Sequence, residues 1–267
     1  EFRRVLFRSM SILLIDAGNT RIKWAISSGT PDEIQTGFRT SGFFDNISAK
    51  ELLKLSNPEQ ITHIICSSVI SKENTLALKE FCHDLMPSAD WCQIDGSSAL
   101  SQLPTSYNNP QQLGADRRSM LLGAQQLFVD KNMLVIGTGT ATTIDLLANQ
   151  QHLGGWILPG ITLMAQTLSS NTANLPNVEK IESLSTIKPA LTTDEGIEQG
   201  IFACQVGAIS IAAQYAKNNN IEIDLIVLTG GNANLIGDHL EKQSCVMTEP
   251  QLALKGLLTW HLLNYPS

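Results

Sequence analysis

Asp16-Ala17-Gly18-Asn19-Thr20 and Gly139-Thr140-Ala141-Thr142-Thr143 join glycines to short hydroxyl and amide side chains. Glycine lets backbone N–H groups approach a ligand closely, and the flanking polar side chains add donors. The oxygens of a phosphate chain need that combination. Asp16 adds a carboxylate of the kind magnesium takes, often through its waters. Taken alone, each segment has an ordinary explanation: Asp16 can close an Asx turn, and Gly with Asn can make a tight hairpin. A third glycine segment, Leu228-Thr229-Gly230-Gly231-Asn232-Ala233-Asn234, follows an apolar run and precedes a short helical pattern. Such a turn lets backbone pack against an adenosine, or simply joins a strand to a helix.

Tyr107-Asn108-Asn109-Pro110-Gln111-Gln112-Leu113-Gly114-Ala115-Asp116-Arg117-Arg118 is irregular and ends at a helix start. A carboxylate in a first helical turn is favoured by the helix dipole even without a function. Here, however, Gly114 allows close approach, Arg117 can grip a carboxylate with two parallel hydrogen bonds, and Tyr107 offers a hydroxyl. Phosphoryl transfer to an alcohol uses a carboxylate that takes the hydroxyl proton, and Asp116 is the candidate.

The elements that position these residues follow from periodicity. Strands are expected at Ser11 to Ile15, Lys23 to Ser27, Ile61 to Ser67, Met133 to Ile136, Thr142 to Leu147 and Leu225 to Leu228. One helix begins near Ala115, with Met120, Leu121, Ala124, Leu127 and Phe128 along a face. A second runs from Thr193 to Ala216 on a stripe of Ile197, Ile201, Ala208 and Ile211. Strands alternating with helices mean an α/β fold. Leu13-Leu14-Ile15-Asp16-Ala17-Gly18-Asn19-Thr20 is echoed by Leu134-Val135-Ile136-Gly137-Thr138-Gly139-Thr140-Ala141, which implies duplicated domains facing one cleft. The boundary is expected near residue 130, giving domains 10–130 and 131–267. Residues 1–9 read as a non-native leader with Met10 as the start, and Leu168 to Thr192 as a flexible connection.

Composition narrows the partners. The 267 residues are 43% hydrophobic and 16% charged, enough apolar material for one large core or two modest ones. A net charge of -7 leaves no basic footprint for nucleic acid or an anionic membrane. The 5 cysteines are scattered without a C-x-x-C pair and read as reduced thiols of a cytoplasmic protein. The 5 histidines show no metal-ligand spacing and read as surface or core residues.

Five segments in order carry a specific resemblance. They are D-x-G-N-T at Asp16 to Thr20, Y-x-x-P-x-x-L-G-x-D-R at Tyr107 to Arg117, G-T-A-x-T at Gly139 to Thr143, G-G-x-I-x-P-G at Gly154 to Gly160, and T-G-G at Thr229 to Gly231. From Met10 onward the chain resembles the type III pantothenate kinases, with Asp116 in the most discriminating segment. The resemblance implies two RNase-H-like domains of the actin-like ATPase fold and phosphorylation of the 4′-hydroxyl of pantothenate by ATP. It implies a homodimer whose pantothenate site is completed near the subunit interface; the charge of -7 and the lack of about 20 uninterrupted apolar residues argue for no nucleic-acid or membrane partner. By position, Asp16, Ala17, Gly18, Asn19, Thr20, Arg21, Ile22 and Lys23 form the first phosphate loop, with Asp16 the magnesium ligand, and Thr140 contacts ATP in the second. Asp116 takes the proton, while Tyr107, Gly114, Ala115, Asp116, Arg117 and Thr193 line the pantothenate pocket. Many members have aspartate where this chain has Gly137, the usual ligand for potassium or ammonium, so monovalent-cation dependence is in question. The rival readings are another kinase of the superfamily, a nucleotide-binding accessory protein without catalysis, and a phosphohydrolase.

Overall fold

The computed structural model describes residues 11–44, 52, 55, 57–172, 175–176, 181, 186–240 and 245–266. The expected leader, residues 1–9, lies outside them, as do parts of the stretch from Leu168 to Thr192. The described chain forms two compact units. One is drawn from Glu1–Ser98, Gln111–Leu127 and Ala253–Ser267, the other from Ala99–Pro110 and Phe128–Leu252.

The first unit is built on β1 (Ser11–Ala17), β2 (Ile22–Ser27), β3 (Thr40–Phe44), β4 (Ile61–Ser68) and β5 (Asp90–Ile94), in the sheet order β3-β2-β1-β4-β5. The run Ile12-Leu13-Leu14-Ile15 is wholly buried, as expected of a central strand covered on both faces. Its side chains alternate. Leu13, Ile15 and Ala17 join Ile64, Cys66 and Leu78 on one face, where helix α2 (Lys72–Leu85) packs. Ile12 and Leu14 join Ile34, Ile65, Leu254, Leu257 and Leu258 on the other. Ile34 comes from α1 (Asp32–Thr36) and the last three leucines from α7 (Leu252–Asn264). The unit also holds α3 (Ala115–Leu127).

The second unit repeats the plan with β6 (Met133–Thr138), β7 (Ala141–Ala148), β8 (Gln151–Pro159), β9 (Leu225–Thr229) and β10 (Val246–Thr248), ordered β10-β9-β6-β7-β8. In both sheets the first strand has an antiparallel hairpin partner on one side and a parallel partner on the other: β1 with β2 and β4, β6 with β7 and β9. The echo in the sequence is therefore a duplicated α/β topology, in keeping with the two RNase-H-like domains that the resemblance implies. The second core gathers Leu134, Ile136, Ile144 and Leu146 beneath α4 (Ile161–Asn171), α5 (Thr193–Asn218) and α6 (Ala233–Leu240).

All six expected strands are present, and the two expected helices are α3 and α5. Two residues depart from expectation: Phe128 lies beyond the end of α3, and Ile211 of α5 is 61% exposed, the buried stripe running through Ile209, Ala212 and Ala216 instead. At 3.6 residues per turn the stripe that starts at Ile197 rotates past Ile211 within four turns. By length and composition α5 could cross a membrane. Its buried face, however, packs into the second core.

α7 packs on α3 through a glycine. A Cβ at Gly256 would collide with the carbonyl oxygen of Ser119 in α3 and lie 2.6 Å from its carbon. Both obstacles are backbone, so a side chain there must move a helix. Gly256→Ala is expected to destabilise the chain by about 3 kcal/mol, the upper range of overpacking costs, read as a lowered melting temperature. An unchanged midpoint would show that α7 and α3 can separate freely.

Candidate phosphoryl-transfer site

β1 ends at Asp16 and Ala17 and turns into β2 through Gly18, whose N–H donates to the Arg21 carbonyl at 3.2 Å. A Cβ at Gly18 would lie 3.0 Å from that oxygen, so a side chain there would push the turn open by a few tenths of an ångström. Asn19 and Thr20 form its exposed tip, while Ala17 and Ile22 are core residues that fix its two ends. Asp16 faces Lys23 across β2 and Ser67 across β4. The Ser67 hydroxyl donates to Asp16 Oδ1 at 2.8 Å. Burial pushes the Asp16 carboxyl up from its ordinary value, and the Lys23 ammonium and the Ser67 hydrogen bond oppose that shift. Arg21 lies over the Phe43 ring at 4.1 Å, a cation–π contact that ties the turn to β3.

The same unit holds the start of α3. The Gly114 carbonyl accepts the Arg118 N–H at 2.9 Å, and Asp116 Oδ1 accepts the Arg117 N–H at 2.8 Å. A Cβ at Gly114 would lie 2.6 Å from Asp116 Oδ1. Glycine at 114 is therefore what leaves room for the carboxylate in this position. Ala115 and Arg117 are buried, and Arg118 is fully so. Its Nε and Nη2 both donate to the Gly96 carbonyl, at 3.1 and 2.6 Å. Burial lowers the Arg118 guanidinium to about 10, with Asp95 opposing. Sequence reading passed over Ser67 and Arg118. The only cue to either was a polar residue next to an apolar run or helix start.

In the second unit the backbone segments at Gly139, Gly160 and Gly230 converge. Gly139 N–H donates to the Ala141 carbonyl at 3.0 Å, closing the β6–β7 turn with Thr140 exposed at its tip. Gly160, just before α4, donates its N–H to the Thr140 carbonyl at 2.9 Å. A Cβ there would collide with the Gly139 carbonyl oxygen and lie 2.7 Å from that of Thr140. Gly230 has φ +104°, and a Cβ on it would lie 2.6 Å from the Thr138 carbonyl oxygen. Thr138 Oγ1 donates to the Thr229 carbonyl at 2.8 Å.

Gly137 faces Thr143 across β7 and Thr229 across β9. Both threonine hydroxyl oxygens are buried without a hydrogen-bond partner. The nearby carboxylate of Asp145 is 2.9 Å from His152 Nε2. Among the described residues no group of three or more His, Cys, Asp or Glu forms a metal cluster.

Tyr107 lies against the His152 ring, with centroids 5.2 Å apart. Thr193 opens α5 behind Thr192, whose hydroxyl accepts the Glu195 N–H at 3.3 Å. It stands beside an apolar cavity of about 480 Å³ lined by Met164, Leu168, Ile197, Ile201 and Cys204.

The sequence pattern described as type III pantothenate kinase matches residues 12–214. A type III pantothenate kinase from Janthinobacterium sp. (strain Marseille) is 38% identical over 237 residues, 86% of this chain and 90% of that protein. One from Legionella pneumophila (strain Corby) is 32% identical over 272 residues, 95% of this chain and 99% of that protein. A structure from Campylobacter jejuni described as a Baf family transcriptional activator has a TM-score of 0.58 at 18% identity, covering 94% of this chain and 98% of that one. A Listeria monocytogenes protein described as an N-acetylmannosamine kinase has 0.55 at 12% identity, covering 96% and 99%. These two structures share the fold, whereas the sequence relatives and the matched pattern fix the family. The chain belongs to the type III pantothenate kinase family.

Proposed function

We propose that this chain transfers the γ-phosphoryl group of ATP to the 4′-hydroxyl of pantothenate, giving 4′-phosphopantothenate and ADP in the first committed step toward coenzyme A. The observation that carries this reading is Asp116, held in the first turn of α3 by its bond from the Arg117 N–H, in space that only glycine at 114 leaves open. Asp116 takes the hydroxyl proton as the oxygen bonds to phosphorus and the bond to ADP breaks. Arg117, with Tyr107, Ala115 and Thr193, binds pantothenate, the guanidinium pairing with its carboxylate.

The backbone from Asp16 to Lys23 and the Gly139–Thr140 turn hold the phosphates. Their exposed tips and close-packed glycines fit that role. Asp16 fits magnesium: it is a strand-end carboxylate with one oxygen oriented by Ser67. Magnesium held there through water would neutralise charge on the phosphates. The residues around Gly137 do not fit a monovalent cation in the same way, because no carboxylate stands there and Asp145 is engaged by His152. We also propose a cytoplasmic homodimer. Free cysteines support the compartment, with the Cys82 thiol pushed up to about 12 by burial and so held protonated.

ADP release with ATP, magnesium and pantothenate tests the reaction. Release that depends on pantothenate supports it, whereas equal release without pantothenate would mean hydrolysis and overturn it. Asp116→Asn is expected to lower kcat by about a thousandfold, within the range for removing a general base, while ATP binding measured by calorimetry stays near that of the parent. Full turnover in this variant would remove Asp116 from its role. Turnover is expected to be the same in potassium and in tetramethylammonium buffer. A strong potassium requirement would show that the threonine hydroxyls and backbone carbonyls near Gly137 hold an ion without the carboxylate.

A further inference from the structure

The second unit contains a buried polar chain that the proposed reaction does not use, and it ends at the backbone of Tyr107. Asp145 on β7 is 1% exposed and His152 on β8 is 0% exposed. Asp145 Oδ1 is 2.9 Å from His152 Nε2, and His152 Nδ1 is 2.8 Å from Thr105 Oγ1. Thr105 Oγ1 in turn accepts the Tyr107 N–H at 3.3 Å. Donors and acceptors match along the chain: amide to hydroxyl oxygen, hydroxyl to Nδ1, and Nε2–H to carboxylate. Backbone bonds fasten the same segment to the sheet, His152 N–H to the Pro104 carbonyl at 2.9 Å and Ser106 N–H to the His152 carbonyl at 2.8 Å. β8 is the last strand of its sheet, so Pro104 to Ser106 lie along its outer edge.

A buried carboxylate–imidazole pair is costly to desolvate and is not needed to close a sheet edge that two backbone bonds already close. Here it reaches through one hydroxyl to the main chain of Tyr107, and its imidazole also forms the surface on which the tyrosine ring rests. We infer that Asp145, His152 and Thr105 form a positioning relay that sets Tyr107 for the acceptor substrate, making them determinants of acceptor affinity. The inference rests on the role proposed for Tyr107. Asp145 and His152 are closed off from solvent and act, with Thr105, through the tyrosine. Aspartate behind histidine fixes the ring orientation, and threonine passes that orientation to a segment without regular secondary structure.

Thr105→Val keeps the side-chain shape and removes the hydroxyl, and Thr105→Ser keeps the hydroxyl. Amide exchange at Tyr107, followed without substrate, is expected to be about tenfold faster in the valine variant, the equivalent of one lost hydrogen bond. In kinetics, KM for pantothenate is expected to rise about tenfold, with kcat, KM for ATP and the melting temperature near those of the parent. The serine variant is expected to restore both readouts. Unchanged exchange at Tyr107 overturns the relay. So does a valine variant in which both KM values and the melting temperature move together, because that pattern marks a general structural role. A parent chain that leaves pantothenate unphosphorylated would count against the proposed function, and the exchange comparison would still decide the relay.

Discussion

Nothing larger than a hydrogen atom fits on Gly160, and the geometry of the second unit's turn follows from that constraint. The Gly160 N–H reaches the Thr140 carbonyl because its α-carbon can approach the backbone of the β6–β7 turn. Gly230 makes the matching approach to Thr138 from β9, at a φ of +104° that strongly favours glycine. Two glycines from distant points in the chain therefore brace one short turn, and α4 starts directly from one of them. A turn braced by backbone keeps its own N–H groups in a fixed place, which binding a phosphate chain requires at little ordering cost.

Elsewhere the same task falls to buried polar side chains. Ser67 orients the Asp16 carboxylate, and Arg118 ties the start of α3 to the Gly96 carbonyl. In each case a group at a strand or helix end is held by a neighbour that is itself fixed in the core. Exposed side chains at the same points would lose rotamer entropy each time they bound a ligand. Core-anchored partners meet that cost during folding, so the groups they hold are ordered beforehand.

How much of this was legible in the sequence depended on whether the signal was local. β1 and β6 are continuous apolar runs ending in glycine turns, and they could be read directly. β3 and β10 are short strands whose exposed positions leave no alternation to detect. β8 carries Gly154 and Gly155 in its middle, which weakens any strand pattern. The catalytic candidate Asp116 could be read because Gly114 and Arg117 are its neighbours in the chain. Ser67 stands 51 residues from Asp16, and His152 stands 47 from Thr105. Pairings at that range are made by sheet register, which a single sequence does not display.

Register also shows how the duplicated halves diverged. Asp16 faces Lys23 on the antiparallel side and Ser67 on the parallel side, and in the echo Gly137 occupies the Asp16 position, facing Thr143 and Thr229. The parallel-side partner carries a hydroxyl in both copies. In the first copy it donates to the carboxylate, whereas in the second the Thr229 hydroxyl oxygen is buried without a partner, as is that of Thr143. A buried hydroxyl that lacks a partner costs roughly 1–3 kcal/mol, so replacing a carboxylate by glycine here removes an acceptor that its surroundings can use. The two turns are thus unequal in chemistry although equal in topology. The first offers a carboxylate with one oxygen held by the Ser67 hydroxyl. The second offers backbone braced by Gly160 and Gly230, with no carboxylate at the corresponding strand position.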